Sequence, residues 1–315
     1  MRPQKNSLYI FIWSVTAIVI FGYNSSATAC PLPVFQFSLE YWDSDPYDVV
    51  VHYKEELTDS QQAVVEMLMA AERGQGYHSN ITVIMNDHAV MNHPNPSGKD
   101  LPRIELRYPM ISGIRGSLWE GPLEDGVVDV LFQSPMRQVI AEKLLERHAG
   151  VWVLLESGIS SKDKKARKTL DEELSRLEKT LQISTDYAEQ YGMDPGELHT
   201  DINFHVLTLN RDDPDEQIFI NMLLGTERDL KDFENEPIVF PIYGRGLMMY
   251  ALVGDGINAW TLADVGEFLT GTGSCQIKAE SPGVDILMSF DWENKVERLS
   301  TYEISGTGSG IFPDP

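Results

Sequence analysis

Val151-Trp152-Val153-Leu154-Leu155-Glu156 runs into Ser157-Gly158-Ile159-Ser160-Ser161 and then into the charged stretch from Lys162 to Ala188. The first run is apolar up to its last residue, the pattern of a strand buried on both faces. Glycine and serines end it. Beyond them Leu170, Leu174, Leu177 and Leu181 recur on one helical stripe, which predicts an amphipathic helix over about Lys162–Ala188. A buried strand feeding directly into a long helix is the opening of an α/β unit.

Downstream, the pattern predicts a strand over Ile202–Leu209 and a helix from Asp213-Pro214 to Leu224, stopped by Gly225. Strands Ile238–Tyr243 and Leu247–Val253 follow around the turn Gly244-Arg245-Gly246, then a helix over Thr261–Leu269 and edge strands at Cys275–Glu280 and Val284–Phe290. Upstream the order is similar. A strand at Asp48–Lys54, a helix at Thr58–Arg73 and strands at Ile81–Asn86, Ile104–Tyr108 and Gly116–Gly121 lead to a helix capped by Ser134, with Pro135 in its first position, ending near His148. A short helix, Pro33–Trp42, precedes everything. The prediction is α/β, with β-α-β-β-β-α in each half. The first unit, with its N-terminal helix, spans 30–148 and the second 149–290. The Gly-, Ser- and Pro-bearing stretch 291–315 is expected to be a disordered tail.

Residues 1–29 read as a cleaved signal peptide. Arg2 and Lys5 form a cationic head, Leu8–Gly22 is almost wholly apolar, and Ala27-Thr28-Ala29 is a small-x-small cleavage site. The apolar run falls short of the ~20 residues a membrane-spanning helix needs. The chain is therefore expected to be exported, to a periplasm or cell envelope, with no span after cleavage. Its net charge is −23, and cleavage removes two further cations. Such a surface repels nucleic-acid phosphates and anionic lipids and favours neutral or basic partners.

Both halves share a layout: strand, helix, strand, a proline entering a β-hairpin, and a last helix. This resembles two tandem thioredoxin-like units over roughly residues 46–270. The resemblance implies cis-prolines at Pro102 (Leu101-Pro102-Arg103-Ile104-Glu105-Leu106) and Pro237 (Glu236-Pro237-Ile238-Val239-Phe240). Cys30-Pro31-Leu32-Pro33-Val34-Phe35 and Cys275-Gln276-Ile277-Lys278-Ala279-Glu280-Ser281-Pro282-Gly283-Val284-Asp285 also resemble the ends of a family of exported bacterial proteins, which implies no activity. Thioredoxin-like oxidoreductases carry Cys-x-x-Cys at the start of the helix after a central strand. Here those stretches are Glu55-Glu56-Leu57-Thr58-Asp59-Ser60 and Ser157-Gly158-Ile159-Ser160-Ser161. Neither holds a cysteine, so dithiol chemistry does not carry over.

The only cysteines are Cys30 and Cys275. Cys30 is open to three readings: a lipid anchor, since Ala27-Thr28-Ala29-Cys30 loosely resembles a lipobox; a disulfide with Cys275; or a free thiol. Seven histidines (His52, His78, His88, His93, His148, His199, His205) fit no metal-ligand spacing and read as scattered surface side chains. The acidic run Asp212–Glu216 lacks the frame of a calcium loop. No nucleophile elbow, phosphate loop or dinucleotide fingerprint occurs, so no cofactor, metal or catalytic residue is expected. One junction stands out. Lys162, Lys164 and Lys165 crowd a helix start, where the macrodipole disfavours cations, and Ser157, Ser160 and Ser161 lie beside them. These six are the candidate anion-binding residues; the competing reading is a solvated face paired with Asp171, Glu172 and Glu173. The functional expectation is a non-catalytic envelope protein that binds an unidentified protein or small anionic ligand. The alternatives are a thiol–disulfide enzyme using Cys30 and Cys275 and, more remotely, an unrecognised hydrolase.

Overall fold

The computed structural model describes residues 32–91, 100–185, 198–272, 278, 281 and 283–297. Residues 1–29, expected to be a signal peptide, Cys30, Cys275 and the chain beyond residue 297 lie outside the described residues. A short helix α1 (Val34–Tyr41) comes first. The first half continues through β1 (Tyr47–Tyr53), α2 (Asp59–Glu72), β2 (Ile81–Asp87), the helical turn α3 (His88–Met91), β3 (Arg103–Arg107), β4 (Ser117–Pro122), α4 (Val127–Phe132) and α5 (Pro135–Leu145). The second holds β5 (Gly150–Leu155), α6 (Ser160–Thr180), β6 (Phe204–Leu209), α7 (Gln217–Leu224), β7 (Ile238–Tyr243), β8 (Leu247–Met248), β9 (Leu252–Val253), α8 (Ala259–Thr270), β10 (Val284–Asp285) and α9 (Trp292–Lys295).

The molecule is mixed α/β with two sheets, ordered β2-β1-β3-β4 and β6-β5-β7-β8-β10, with β9 also on β7. In each sheet the first strand in sequence, β1 or β5, pairs parallel with one neighbour and antiparallel with the other. Local chemistry sets the helix starts. Thr58 and Gln61 exchange side-chain and backbone bonds in a capping box before α2, Ser134 caps α5, and Asn258 with Thr261 boxes α8. Every residue of β5 is buried, and its two faces serve different cores. Trp152 and Leu154 lie against Leu170, Leu174 and Leu177 of α6 and Leu262, Val265 and Leu269 of α8. Val151, Val153 and Leu155 join a larger core that also holds Val49, Val51, Leu68, Ile104 and Ile140 from the first half. The larger core thus draws on both halves. Burying each such leucine contributes about 1.5–3 kcal/mol.

Three expectations need correction. The long helix ends at Thr180, not near Ala188, because the apolar stripe stops at Leu181 and the next inward positions are Ser184 and Thr185. Leu247–Val253 is two short strands; between them Met249 N donates to the carbonyl of Pro241, a β7 residue with no N–H of its own. The expected tail from 291 is ordered to 297. Trp292 is buried, its ring 4.5 Å from Phe290, and Asp291 caps α9 through Asn294 N. Of the strand expected at Val284–Phe290, Val284–Asp285 pairs with β8. The following residues stitch the halves together: Met288 N donates to Asn80 Oδ1 at 2.7 Å and Ile286 N to Gly246 O at 2.9 Å.

Candidate functional site

The strand-to-helix junction after β5 holds the six candidate anion residues, and the structure separates them. Ser157 donates from its backbone N (2.8 Å) and Oγ (2.7 Å) to Asp163 Oδ1, and Ile159 N donates to Ser157 Oγ at 3.1 Å. A buried carboxylate therefore already serves the space ahead of α6. Lys162 bonds Asn235 O at 2.8 Å and pairs with Glu236; Lys165 reaches Asp255 at 2.9 Å. The bond from Lys165 holds the Asp255 carboxyl below its ordinary value. Ser160 and Ser161 are exposed first-turn residues, and Lys164 makes no ion pair among the described residues. Farther along α6, Arg167 pairs with Asp171 and Lys168 with Glu172, whereas Glu173 pairs with Arg176.

Lys162 and Lys165 also rim a cleft of about 450 Å³ floored by Ala166, Phe233, Pro237 and Ile257. Their partners Glu236 and Asp255 line the same cleft, so its rim carries both signs of charge over an apolar floor. The two hairpin prolines differ. Leu101–Pro102 is cis, whereas Glu236–Pro237 is not among the cis bonds and keeps the trans form, correcting the reading of Pro237. Trans is the favoured isomer of an X–Pro bond by about 0.5–1 kcal/mol.

A polar network on the first sheet is absent from the sequence reading. Register places His52 of β1 beside Asn86 of β2 and Arg103 of β3, and Glu105 of β3 beside Glu120 of β4. Cross-strand partners share a face, so these side chains gather on the side opposite Val49 and Val51. His52 Nε2 lies 2.9 Å from Glu105 Oε2, and His52 Nδ1 lies 3.1 Å from both His88 Nε2 and Asn86 Nδ2. Arg107 donates to Glu105 at 2.6 Å, and Arg103 to Glu120 at 2.8 Å. His52 and His88 are 1% and 7% exposed, so they are not the surface histidines expected. Burial, only partly offset by the Glu105 hydrogen bond, holds His52 below the ordinary imidazole pKa. Burial would raise Glu105, but hydrogen bonds from Arg107 and His52 outweigh it and keep that carboxyl below its ordinary value. The signal available beforehand was a histidine closing the apolar run Val49-Val50-Val51.

The second sheet shows that this polar face is not required by the strand arrangement. There the residue after the hairpin proline, Ile238, pairs with Leu155, which pairs with Leu209. These apolar residues stand where the first sheet has Arg103, His52 and Asn86, and Phe240 stands in the place of Glu105. All four are fully buried.

Among the described residues, no cluster of three or more His, Cys, Asp or Glu side chains is arranged to hold a metal ion, and no helix is long and apolar enough to cross a membrane. No protein-family model matches the chain, and comparison with curated proteins gives no match.

Proposed function

We propose that this chain is an exported, non-catalytic binding protein of two thioredoxin-like units, which takes a small anionic ligand, or an acidic group of a protein partner, in the cleft beside α6. Two sheets of matching strand order and direction support the doubled unit. The observation that carries the functional reading is the cleft of about 450 Å³, a volume suited to a small ligand. It flanks a junction that carries Ser157-Gly158-Ile159 and no thiol. Of its two lysines, Lys165 is the loosely committed one. The Lys165–Asp255 pair is largely solvent-exposed, and pairs of that kind are worth about 0–1 kcal/mol. An incoming carboxylate or phosphate could replace Asp255 at little cost. Asp163 serves the helix end itself, so the ligand's charge belongs at the lysine ammonium groups.

The test is thermal unfolding of the exported chain with inorganic phosphate, sulfate and small dicarboxylates at concentrations too low for general salt effects. One of these should raise the midpoint in a saturable way. Lys162→Ala with Lys165→Ala should remove the response. Absence of any saturable shift would overturn the reading. So would reduction of a disulfide substrate that is lost in Cys30→Ser, which would favour a thiol–disulfide enzyme instead.

A further inference from the structure

His52 Nδ1 and His88 Nε2 face each other at 3.1 Å, and only one proton fits between them. Glu105 decides how the rings are protonated. Its ionised carboxylate can only accept, so the His52 nitrogen beside it, Nε2, carries a hydrogen. In neutral His52 the other nitrogen, Nδ1, is then a bare acceptor, the role that Asn86 Nδ2 requires. His88 therefore donates from Nε2 and leaves its own Nδ1 bare. That Nδ1 is buried with no partner among the described residues. A buried lone pair tolerates this better than a buried N–H does.

A further proton disrupts the arrangement whichever ring accepts it. On His88 it creates a buried Nδ1–H without an acceptor. On His52 it turns Nδ1 into a donor facing the Asn86 amide, and His88 must then accept through Nε2 and carry its hydrogen on Nδ1. With both rings charged, N–H would point at N–H. The surrounding charges offer little relief. Glu105 favours a cation on His52, but it is already engaged by Arg107, which Asp48 also faces, while Arg103 opposes a cation and is held by Glu120. Asp87, next to His88, spends its carboxylate on the backbone N–H groups of Ala89 and Val90. Apart from these Asp87 bonds, the seat of α3 rests on the ring: of His88, Ala89 and Val90, only His88 is buried.

We propose that His88 is an acid-released clasp: proton uptake expels its ring from the seat on β1 and frees the α3 turn while both hydrophobic cores stay folded. Burial holds His52 below the ordinary imidazole value, so the clasp's stabilisation is complete above the unfolded value of about 6.5 and is lost as pH falls from there towards the lower folded value.

The experiment is hydrogen exchange with mass spectrometry on the full exported chain at pH 7.5, 6.5 and 5.5, corrected for intrinsic exchange rates. Between pH 6.5 and 5.5 the opening constant of the segment 85–91 should rise about fivefold for one proton taken up, with β5 and α6 unchanged. His88→Gln cannot titrate and can either donate to His52 Nδ1 or, with its amide turned over, accept from it, so protonation of His52 leaves the seat occupied and exchange should not vary with pH. Flat wild-type protection, simultaneous loss across the whole chain, or a persisting pH response in His88→Gln would each overturn the proposal. Ring ¹⁵N shifts of the wild-type protein add a check that needs no variant. A second proton should enter the His52–His88 pair only as 85–91 loses protection, and a charged ring in a still-protected segment would refute the clasp.

Discussion

Arg245 is a residue whose side-chain loss should cost about 2–8 kcal/mol of stability. It sits in the β7–β8 turn between Gly244 and Gly246, both with positive φ, and its side chain is buried. Nε donates to Leu39 O at 2.9 Å and NH2 to Glu40 O at 3.2 Å, so two carbonyls from the C-terminal turn of α1 depend on it. NH1 reaches Asp43 Oδ1 at 2.9 Å and Glu293 Oε1 at 2.6 Å, tying α9 to the same point. In Arg245→Ala the two carbonyls lose buried donors at about 1–3 kcal/mol each. Asp43 and Glu293 are mostly exposed and regain water, so each pair adds only about 0–1 kcal/mol. The expected total is about 2–8 kcal/mol. Arg245→Lys should recover part of it, since one ammonium cannot reach acceptors arranged around a planar fork. Urea unfolding at pH 7.5, followed by tryptophan fluorescence, measures both variants. A loss under about 1 kcal/mol in Arg245→Ala, or a lysine variant no better than alanine, would refute the argument.

Other positions give further tests. Burial pushes the Asp285 carboxyl up to about 7 despite its pairing with Lys278. The folded state therefore holds a proton that the unfolded chain has released. This group makes stability fall as pH rises from about 4 towards 7, and Asp285→Asn should remove that slope from urea midpoints measured across the range. Glu216 accepts from Ser134 Oγ at 2.5 Å and Met136 N at 2.6 Å at the start of α5; Glu216→Ala should cost about 2–4 kcal/mol in urea unfolding. Leu174→Ala removes a buried side chain from the α6–α8 core and should lower stability by about 2–5 kcal/mol, read in the same assay. His52→Leu copies Leu155 of the second sheet yet leaves Glu105, His88 and Asn86 each short of a partner. Calorimetry at pH 8 should show a loss of about 2–4 kcal/mol rather than a gain.

Much of the fold is legible along the chain because its signals are local. Continuous apolar runs mark β5 and β7, the leucine stripe marks α6, and Thr58, Ser134 and Asn258 mark helix starts. The errors fall where a boundary depends on residues far away. The disposition of Phe290 and Trp292 follows from partners such as His78 and Arg245 rather than from composition, so the end of the chain reads as a tail although Trp292 is buried. The sharing of the larger core is equally hidden. Nothing in Val151-Trp152-Val153 indicates that alternate residues face a core with α1, α6 and α8 on one side and the larger core common to both halves on the other.

The two candidate sites differ in legibility for the same reason. Crowded lysines at a helix start are visible in eleven consecutive residues from Ser157 to Arg167, yet Glu236 and Asp255, which neutralise two of them, come from a different region of the chain. The visible half of that pattern suggested a vacant anion site, and the hidden half turns it into a cleft rim of paired charges. His52 is the reverse case. A lone histidine at the end of an apolar strand carries little information, and its partners lie 34, 36 and 53 residues away. Only the pairing of β1 with β2 and β3 assembles them. The same register in the second sheet yields Leu155, Leu209, Ile238 and Phe240, so the strand arrangement alone does not call for charge at these positions. Desolvating charged and polar groups is costly where an apolar packing is available. Those four apolar residues face the core shared by both halves, whereas Arg107 and Glu120 on the first sheet are partly exposed, so the ionic groups there keep contact with water that the second sheet excludes.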